Sequence, residues 1–422
     1  KYSVEEIRAL GDLSYQNLAK EIIYPFIGDF MTVKELSDIV DKSYSVFRKD
    51  NAVDLIKVGD TKILELFHGP TLAFKDIAMQ LLGNFYEHYL KKNNRNINVV
   101  VATSGDTGAA AIDAIKGKKK IKIFVLHPHE KISPIQRKLM STVKEKNVFN
   151  IAIEGNFDDC QNLVKSMFAD KEFSNSINMS GVNSINWARI IAQTVYYFYS
   201  YFQAQDKRSI NFSVPTGNFG DVYAGYLSKK MGLPVNKFIV ATNKNDILHR
   251  AISNGNYEAE RVSETNSPSM DIQIASNFER LIYDLNDGDD KETSKIMNGI
   301  KEDGKYIISK NKMEKINKDF LSASMSEKEV LDTIKEVHIK FDIILDPHSA
   351  IGYGALQKIS IDGNNIVLAT AHPCKFPGAI DKSIGIKPDL PDELKYIIEK
   401  KENYDIISNN LDKTQQYIKE KI

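Results

Sequence analysis

Short apolar runs alternate with longer amphipathic stretches along most of the chain. The apolar runs cover 97–102, 121–126, 148–153, 210–214, 237–241, 342–345 and 366–370. Strands that are buried on both faces have this continuous apolar character, and parallel strands need a connecting segment, usually a helix, between them. The pattern therefore predicts an α/β fold with mostly parallel, twisted sheets that helices flank on both faces.

The spacing of the runs predicts two sheets, and therefore two domains. The first group of runs ends near a long helix at 187–202, and the second opens at Asn211, after the polar break 205–208. We expect 1–65 to form an N-terminal element packed on the core, 66–205 a smaller α/β domain, and 206–422 a larger one with C-terminal helices. Residues 284–340 are polar and predicted to be mostly helical.

Lys75 lies where a Gly-Pro turn leads into an amphipathic helix. The run 68–76 reads HGPTLAFKD, and the helix that follows carries an apolar stripe of Phe74, Ala78, Leu82, Phe85 and Tyr89. A lysine shielded from water near a helix start has reason to lose its proton, as a Schiff-base nucleophile must. The alternative is that Lys75 is a solvated residue in the first turn of the helix. This interpretation would be preferred if the lysine were the only evidence.

Two segments combine an apolar strand, a glycine-rich turn and the start of a helix. They are 98–111, with the turn TSGDTG, and 212–221, with the turn PTGNFGD. Backbone N–H groups of such a turn can converge on one anion. Neither turn has the spacing of a P-loop or of a dinucleotide site. An anion cradle together with an activatable lysine suggests pyridoxal phosphate.

Composition excludes several other classes of protein. The 56 basic and 56 acidic residues give a formal net charge of +0, so no general attraction to nucleic acid or membrane is expected. No apolar stretch has transmembrane length, and no H-E-x-x-H metal motif occurs, so neither a membrane nor a metal partner is predicted. Two cysteines, Cys160 and Cys374, cannot form a disulfide framework, which favours a cytoplasmic location.

Nine runs distributed over most of the chain resemble the threonine synthase family of fold-type II pyridoxal-phosphate enzymes. These runs are HGPTLAFKD (68–76), TSGDTGAAA (103–111), ISPIQRKLM (132–140), NSINWARIIAQ (183–193), PTGNFGDVYAG (215–225), ATNKND (241–246), SPSMDIQIASNFERL (267–281), DPHSAIGYGAL (346–356) and TAHPCKFP (370–377). The resemblance implies conversion of O-phosphohomoserine and water into threonine and phosphate.

The resemblance also implies roles for cofactor-binding residues. Lys75, near the domain interface, would form the Schiff base with pyridoxal phosphate and then act as the base at the substrate α-carbon. The cofactor phosphate would lie on Gly217, Asn218, Phe219 and Gly220. Asp106 occupies a place where relatives commonly have asparagine near the cofactor 3-hydroxyl, and a turn role is equally open. Thr370 could meet the pyridine nitrogen, or cap the turn after its strand. His372 and Lys375 lie just beyond, as structural or site groups.

The substrate should need donors for both a carboxylate and a phosphate. The carboxylate would lie on the turn that contains Thr103, Ser104, Gly105 and Thr107. The phosphate would meet Arg189, supported by Asn183, Ser184 and Asn186. Lys244 and Arg137 are the weaker candidates for the same phosphate, and a surface position is the alternative for Arg189.

Two rival functions remain open at this point. A serine/threonine dehydratase, or a phospholyase for another phospho-amino acid, would keep Lys75 and the glycine turn without needing a phosphate-binding arginine. A protein of another class, which binds anions on the same fold without catalysis, would lack the cofactor. The oligomeric state is not predicted.

Overall fold

The computed structural model describes residues 1–204 and 209–422, so the predicted polar break at 205–208 lies outside the described residues. The α-helices are α1 (Val4–Ala9), α2 (Tyr15–Ile23), α3 (Val33–Tyr44), α4 (Lys75–Lys92), α5 (Asp106–Ile115), α6 (Pro134–Ser141), α7 (Phe157–Ala169), α8 (Lys171–Ser176), α9 (Trp187–Gln203), α10 (Gly220–Met231), α11 (Ile247–Asn254), α12 (Phe278–Leu285), α13 (Asp290–Asp303), α14 (Lys310–Asp319), α15 (Glu327–Phe341), α16 (Pro347–Ile359), α17 (Pro377–Ile384) and α18 (Leu411–Lys421).

The strands are β1 (Asp54–Val58), β2 (Thr61–Glu65), β3 (Ile97–Ala102), β4 (Ile121–Pro128), β5 (Val148–Glu154), β6 (Met179–Ser180), β7 (Ile210–Pro215), β8 (Val235–Thr242), β9 (Asn256–Glu258), β10 (Lys305–Ile307), β11 (Phe320–Ser324), β12 (Asn364–Ala369) and β13 (Asp405–Ser408). Short 3₁₀ helices cover Tyr24–Phe26, Gly28–Phe30, Pro268–Met270, Pro373–Lys375 and Asp392–Ile397.

The larger sheet has six strands in the order β1-β2-β12-β7-β8-β11. Only the β1–β2 pair is antiparallel. Successive side chains of a strand point to opposite faces, so Phe212 and Val214 pack in the core that contains α9, whereas Val367 and Ala369 pack in the core that contains α16. Because both faces are covered, the central strands β7 and β12 are buried almost throughout and rich in apolar residues, as the sequence pattern predicts.

The smaller sheet is parallel throughout, with the order β13-β5-β4-β3-β6. Val99 and Val101 pack with α4 and α5 on one face, and Val100 packs with α7 on the other. A further two-stranded antiparallel pair joins β9 and β10. The prediction of mostly parallel sheets between helical layers is therefore confirmed.

One predicted strand is wrong, and seven strands of the described residues were not predicted: β1, β2, β6, β9, β10, β11 and β13. The run 342–345 is a connection, because Asp342 adopts a left-handed conformation (φ 56°) that ends α15, and α16 begins at Pro347. Of the strands that were not predicted, β10 and β11 lie in the stretch 284–340, which was expected to be mostly helical. As an edge strand of partly buried, serine-containing sequence, β11 carries no continuous apolar run.

The sheets do not follow the predicted ranges 1–65, 66–205 and 206–422 in two places. Strands β1 and β2 belong to the N-terminal range, but β2 pairs with β12 in the larger sheet. Strand β13 belongs to the C-terminal range, but it pairs with β5 in the smaller sheet. β13 is the edge strand of its sheet, and β1 and β2 together form the edge of the other. The edge of a sheet offers unpaired backbone groups that a strand from any part of the chain can pair with.

The carboxyl ends of the parallel strands set the position of the site. Strand β3 leads into the turn before α5, strand β7 leads into the turn before α10, and β12 ends immediately before Thr370. In open α/β sheets, ligands bind in the crevice outside these carboxyl ends. Both glycine-rich turns singled out from the sequence therefore lie where a ligand site is expected.

Candidate active site

A cavity of about 480 Å³ opens where the two glycine-rich turns meet, with residues of both sheets in its wall. Most of the residues singled out from the sequence line it: Lys75, Thr103, Ser104, Asp106, Thr107, Asn183, Ser184, Arg189, Gly217, Asn218, Phe219, Gly220 and Thr370. Its size and its mixture of apolar and polar walls suit a cofactor with a small substrate.

Backbone hydrogen bonds to the segment after β12 fix the start of α4, and with it Lys75. The Phe74 N–H donates to the Thr370 carbonyl at 2.8 Å, and the His372 N–H donates to the Leu72 carbonyl at 3.1 Å. Lys75 is thus held between the N-terminal end of one helix and the carboxyl end of a central strand. A rigid attachment of this kind positions a reacting side chain more accurately than a loop would.

The amine of Lys75 is buried and only loosely paired. Its Nζ lies 5.1 Å from the centroid of the Phe74 ring, 3.3 Å from Oδ2 of Asp106 and 3.4 Å from the hydroxyl of Ser269. Burial lowers the pKa of Lys75; Asp106 opposes this effect, and the positive charges of Lys375 and Arg189 reinforce it. The predicted shielding of the amine by Phe74 is present.

Asp106 is a buried carboxylate with partners on both oxygens. Its Oδ1 accepts hydrogen bonds from Lys375 Nζ at 2.6 Å and from Gln136 Nε2 at 2.8 Å, while Oδ2 faces Lys75. Burial alone would raise the pKa of Asp106, but Lys375 and Lys75, both protonated in the acid range where a carboxyl titrates, outweigh this effect and hold the pKa far below its usual range. Asp106 is therefore an anion in this site.

The glycine loop, residues 217–220, is shaped for close approach of a ligand to the backbone. A Cβ at Gly217 would lie 2.9 Å from the carbonyl oxygen of Ser269, and Phe219 adopts a left-handed conformation (φ 63°). Phe219 precedes α10 without a side-chain cap, which leaves the first N–H groups of that helix available to an anion. The side chain of Asn218 accepts a hydrogen bond from the Ser276 hydroxyl at 2.7 Å.

The turn at 103–107 opens the second helix that reaches the cavity. The Thr103 hydroxyl accepts hydrogen bonds from the N–H groups of Gly105 and Gly108, at 2.9 and 2.8 Å. Gly105 has φ 133° and packs against Gln136, so its role is conformational and it does not line the cavity. Ser104 and Thr107 are half-buried and do line it.

Arg189 is a buried cation in the cavity wall, and no carboxylate is paired with it among the described residues. One guanidinium nitrogen, Nη1, donates to the Val182 carbonyl at 2.8 Å, and the buried Nε has no partner in the described structure. Burial lowers the pKa of Arg189 to about 10, which leaves it charged at neutral pH. A buried, incompletely satisfied guanidinium fits a phosphate or carboxylate ligand.

The other candidates for phosphate binding lie elsewhere. Asn186 caps α9 by accepting from the Ala188 N–H at 3.0 Å and does not line the cavity. Arg137 is engaged by Glu402, with Nε at 2.7 Å from Oε2, and Lys244 is exposed. Neither Arg137 nor Lys244 lines the cavity. The surface alternative for Arg189 is wrong, because the side chain is 3% exposed.

Several cavity or near-cavity groups were not singled out as site residues from the sequence. Ser269 lies within the run 267–281, and Gln136 within the run 132–140. These runs indicated the family, but they did not indicate that Ser269 contacts Lys75 or that Gln136 contacts Asp106. His348 also lines the cavity; its Nδ1 lies 2.8 Å from Oδ1 of Asp346, and its buried Nε2 has no partner in the described structure. The contacts of Ser269 with Lys75 and of Gln136 with Asp106 join segments that are distant in sequence.

One cluster outside the cavity brings three potential metal ligands together. Ligand atoms of Asp54, Glu65 and His68 lie within 4.8 Å of one another at the β1–β2 pair. Lys49 already pairs with Asp54 at 2.9 Å, and His68 lies 2.9 Å from Glu65.

Across the described ranges no helix combines the length and apolar character that crossing a bilayer requires.

The cavity fits pyridoxal phosphate by the chemistry of its donors. Lys75 offers a weakly paired, buried amine to an aldehyde, and the glycine loop offers backbone N–H groups at a point where a Cβ would collide with Ser269. Residues 64–370 match the family model described as pyridoxal-phosphate dependent enzyme. The fold and the cavity together define a fold-type II pyridoxal-phosphate enzyme.

Relatives narrow this class. Residues 1–44 match the model described as threonine synthase N terminus, and 349–418 match threonine synthase, C-terminal. A threonine synthase of Pseudomonas aeruginosa is 43% identical over 423 residues, covering 99% of this chain and 90% of its own. The chain belongs to the threonine synthase family.

Solved structures agree with that assignment. A crystal structure of pyridoxal-phosphate-bound threonine synthase from Brucella melitensis is similar at a TM-score of 0.96 and 43% identity, covering 100% of this chain and 91% of that one. Threonine synthase from yeast is similar at 0.94 and 41%, with the same coverage. The predictions of family, fold class and cofactor are confirmed.

Proposed function

We propose that this protein is a pyridoxal-phosphate-dependent lyase that converts O-phosphohomoserine and water into threonine and phosphate. The observation that carries the proposal is that two separate groups of donors, each suited to an anion, line one cavity with Lys75. The glycine loop would hold the cofactor phosphate, and Arg189, with its unpartnered Nε, would hold the substrate phosphate. A substrate without a phosphate would leave this buried cation without a partner.

The residues around Lys75 would divide the work. The cofactor, when bound, supplies an electron sink for the carbanion that forms on the amino-acid substrate. Lys75 Nζ, with its pKa lowered by burial, would accept the proton from the substrate α-carbon and return protons later in the reaction. Thr370, whose backbone N–H donates to Ser349 at 3.1 Å, would place its hydroxyl toward the cofactor ring nitrogen.

The substrate carboxylate would lie on the turn at 103–107. Ser104 and Thr107 expose their hydroxyls at the start of α5, where the helix dipole favours an anion. Asn183 and Ser184 lie on the same wall as Arg189 and would supplement its contacts with the phosphate. Asn186 acts as a helix cap instead, so it supports this wall without reaching the substrate.

The test measures phosphate release and threonine formation by the purified protein. The substrates are O-phosphohomoserine, O-phosphoserine, O-phosphothreonine, serine and threonine. We expect efficient turnover of O-phosphohomoserine only, and its loss in Lys75→Ala without loss of the folded state. Preferred turnover of unphosphorylated serine or threonine would identify a dehydratase, and absence of a visible cofactor band would identify a non-catalytic anion-binding protein.

The compartment we propose is the cytoplasm. Both cysteines of the chain, Cys160 and Cys374, are buried free thiols. Free thiols of this kind persist where the surroundings are reducing. Expression of the protein fused to a fluorescent reporter would show the compartment, and an extracellular or membrane-bound signal would contradict the proposal.

A further inference from the structure

We propose that Lys375 is a positioning residue that neutralises Asp106, so that Lys75 is left as the uncharged, reactive amine of the cavity. This inference rests on the function proposed for Lys75, and it concerns how the protein alone prepares that amine. The starting observation is that one buried carboxylate faces two buried lysines at unequal distances. The question is which lysine carries the charge.

Distance and surroundings favour Lys375 as the charged partner. Lys375 Nζ lies 2.6 Å from Oδ1 of Asp106 and also donates to the Thr71 carbonyl at 2.8 Å, and its side chain is 0% exposed. Lys75 Nζ lies 3.3 Å from Oδ2 of Asp106, and its other neighbour is the Ser269 hydroxyl at 3.4 Å. A hydroxyl can donate to a neutral amine, whereas a carbonyl only accepts.

The charges that act on Lys75 favour loss of its proton. Lys375 and Arg189 act on Lys75 as positive charges, and Asp106 is the carboxylate that opposes them; the side chains of Lys75 and Asp106 are both buried. Asp76, a buried carboxylate that interacts with Lys375, accepts hydrogen bonds from the backbone N–H and the hydroxyl of Thr71. A buried cation that is incompletely paired tends to lose its proton. Arg189 does not lose its proton, because an arginine side chain stays protonated in proteins. Lys75, which has the weakest pairing, is the group that does.

Removing Lys375 would reverse this arrangement. Asp106 would then have Lys75 as its nearest cation, and a close opposite charge stabilises the protonated form of a lysine. Lys75 would become a bound ammonium, which cannot attack an aldehyde or accept a proton from a substrate. Lys375 would thus control the reactivity of Lys75 through Asp106 without touching the reacting atoms.

The test follows the reactivity of Lys75 itself in the full-length, cofactor-free protein. Brief labelling with acetic anhydride at a series of pH values, read by mass spectrometry, gives the pH midpoint and the limiting rate for each lysine. In Lys375→Met we expect the pH midpoint for labelling of Lys75 to rise. For each pH unit by which this midpoint rises, labelling of Lys75 at pH 8 should be roughly tenfold slower. The limiting rate at high pH should be retained, since the charge and not the shape of the site has changed.

Two further variants separate charge from packing. The double variant Lys375→Met with Asp106→Asn removes both charges, and we expect it to return the midpoint to the wild-type value or below. Lys118→Met is the matched control, because Lys118 is a largely buried lysine 2.9 Å from Glu87 and does not line the cavity. Lys118→Met should leave the pH midpoint for labelling of Lys75 unchanged. Should Lys375→Met not fold, Lys375→Gln, which keeps a donor for Thr71, takes its place.

Either of two results would overturn the proposal. The first is an unchanged midpoint of Lys75 when Lys375 is replaced. The second is a midpoint that stays raised in the double variant, which would mean that Lys375 acts by shape. Neither result depends on turnover, so a failure of the proposed reaction in the substrate assay would be recognised separately.

Discussion

The side chain of Asp76 closes the turn that precedes Lys75 by binding Thr71 twice. Its Oδ2 accepts from the Thr71 N–H at 2.8 Å, and its Oδ1 accepts from the Thr71 hydroxyl at 2.6 Å. Gly69 packs against the same carboxylate so closely that a Cβ would lie 2.6 Å from Oδ2. Asp76, the residue after Lys75, therefore stabilises the turn that precedes Lys75.

We expect Asp76→Ala to destabilise the protein and to weaken cofactor retention. Two buried donors of Thr71 would lose their partner, at a cost of about 1 to 3 kcal/mol for each unsatisfied group. Urea unfolding followed by circular dichroism measures the loss. Asp76→Asn is the control, since its amide oxygen can keep one of the two bonds and it should lose less. Equal stability of the alanine variant and the wild type would contradict the bracing role.

Gly217→Val should reduce cofactor affinity much more than it reduces stability. The new side chain would begin 2.9 Å from the Ser269 carbonyl and would fill the cradle where the cofactor phosphate is expected. Equilibrium titration with pyridoxal phosphate, followed by absorbance, should show at least roughly tenfold weaker binding, equal to about 1.4 kcal/mol.

A matched control exists for the glycine substitution. Gly299 lies in α13, where a Cβ would meet nothing within 4 Å, so Gly299→Val introduces the same side chain without a clash. It should retain cofactor affinity. Wild-type affinity in Gly217→Val would remove the glycine loop from the cofactor site.

Arg189→Ala should slow turnover of O-phosphohomoserine while leaving the bound cofactor nearly unchanged. A hydrogen bond to a charged group contributes about 1.5 to 3 kcal/mol, which corresponds to roughly ten- to a hundredfold in kcat/KM. Steady-state kinetics measures the loss, and the absorbance of the cofactor reports its retention.

The comparison variant is Arg137→Ala. Arg137 is partly buried and bound to Glu402, and it does not line the cavity, so its loss should not alter kcat/KM beyond the effect on stability. An unphosphorylated amino acid serves as the second ligand. If Arg189→Ala weakened both ligands equally, Arg189 would bind the carboxylate or act structurally.

Asp221 should make the cofactor-free protein less stable as the pH rises from about 4 to about 6. Burial raises the pKa of Asp221 to about 6, with the Tyr196 and Tyr197 hydroxyls, at 2.5 and 2.8 Å from Oδ1, opposing it. The folded state therefore holds this proton more tightly than the unfolded state, whose carboxyl has a pKa near 3.9. Stability is greatest below the unfolded value and falls as the pH passes through the folded value.

Asp221→Asn isolates this contribution, because its amide stays neutral and keeps an acceptor for the two tyrosines. The difference in unfolding free energy, wild type minus variant, should decrease between pH 4 and pH 7 by an amount on the order of 3 kcal/mol. Urea unfolding at several pH values gives this difference. A difference that does not vary with pH would show that Asp221 titrates normally.

The sequence by itself determined the type of fold and the elements that carry the site. Strands β3, β7 and β12 are buried on both faces, so their apolar runs were visible without structure, and the glycine turns after β3 and β7 followed directly from them. Strand β11 was not predicted, because an edge strand needs no continuous apolar run. The order of the strands in the sheets could not be read either, since β2 and β13 pair with segments far away in the chain.

The tertiary structure alone decided the electrostatics of the cavity. The sequence singled out Lys75 and left the partner of Asp106 open, because ion pairs depend on distance and burial and not on spacing along the chain. Folding brings Lys375, from a 3₁₀ helix some three hundred residues after Lys75, to 2.6 Å from Asp106. It also buries Arg189 without a carboxylate partner in the described structure, a state that a helix start in the sequence does not indicate.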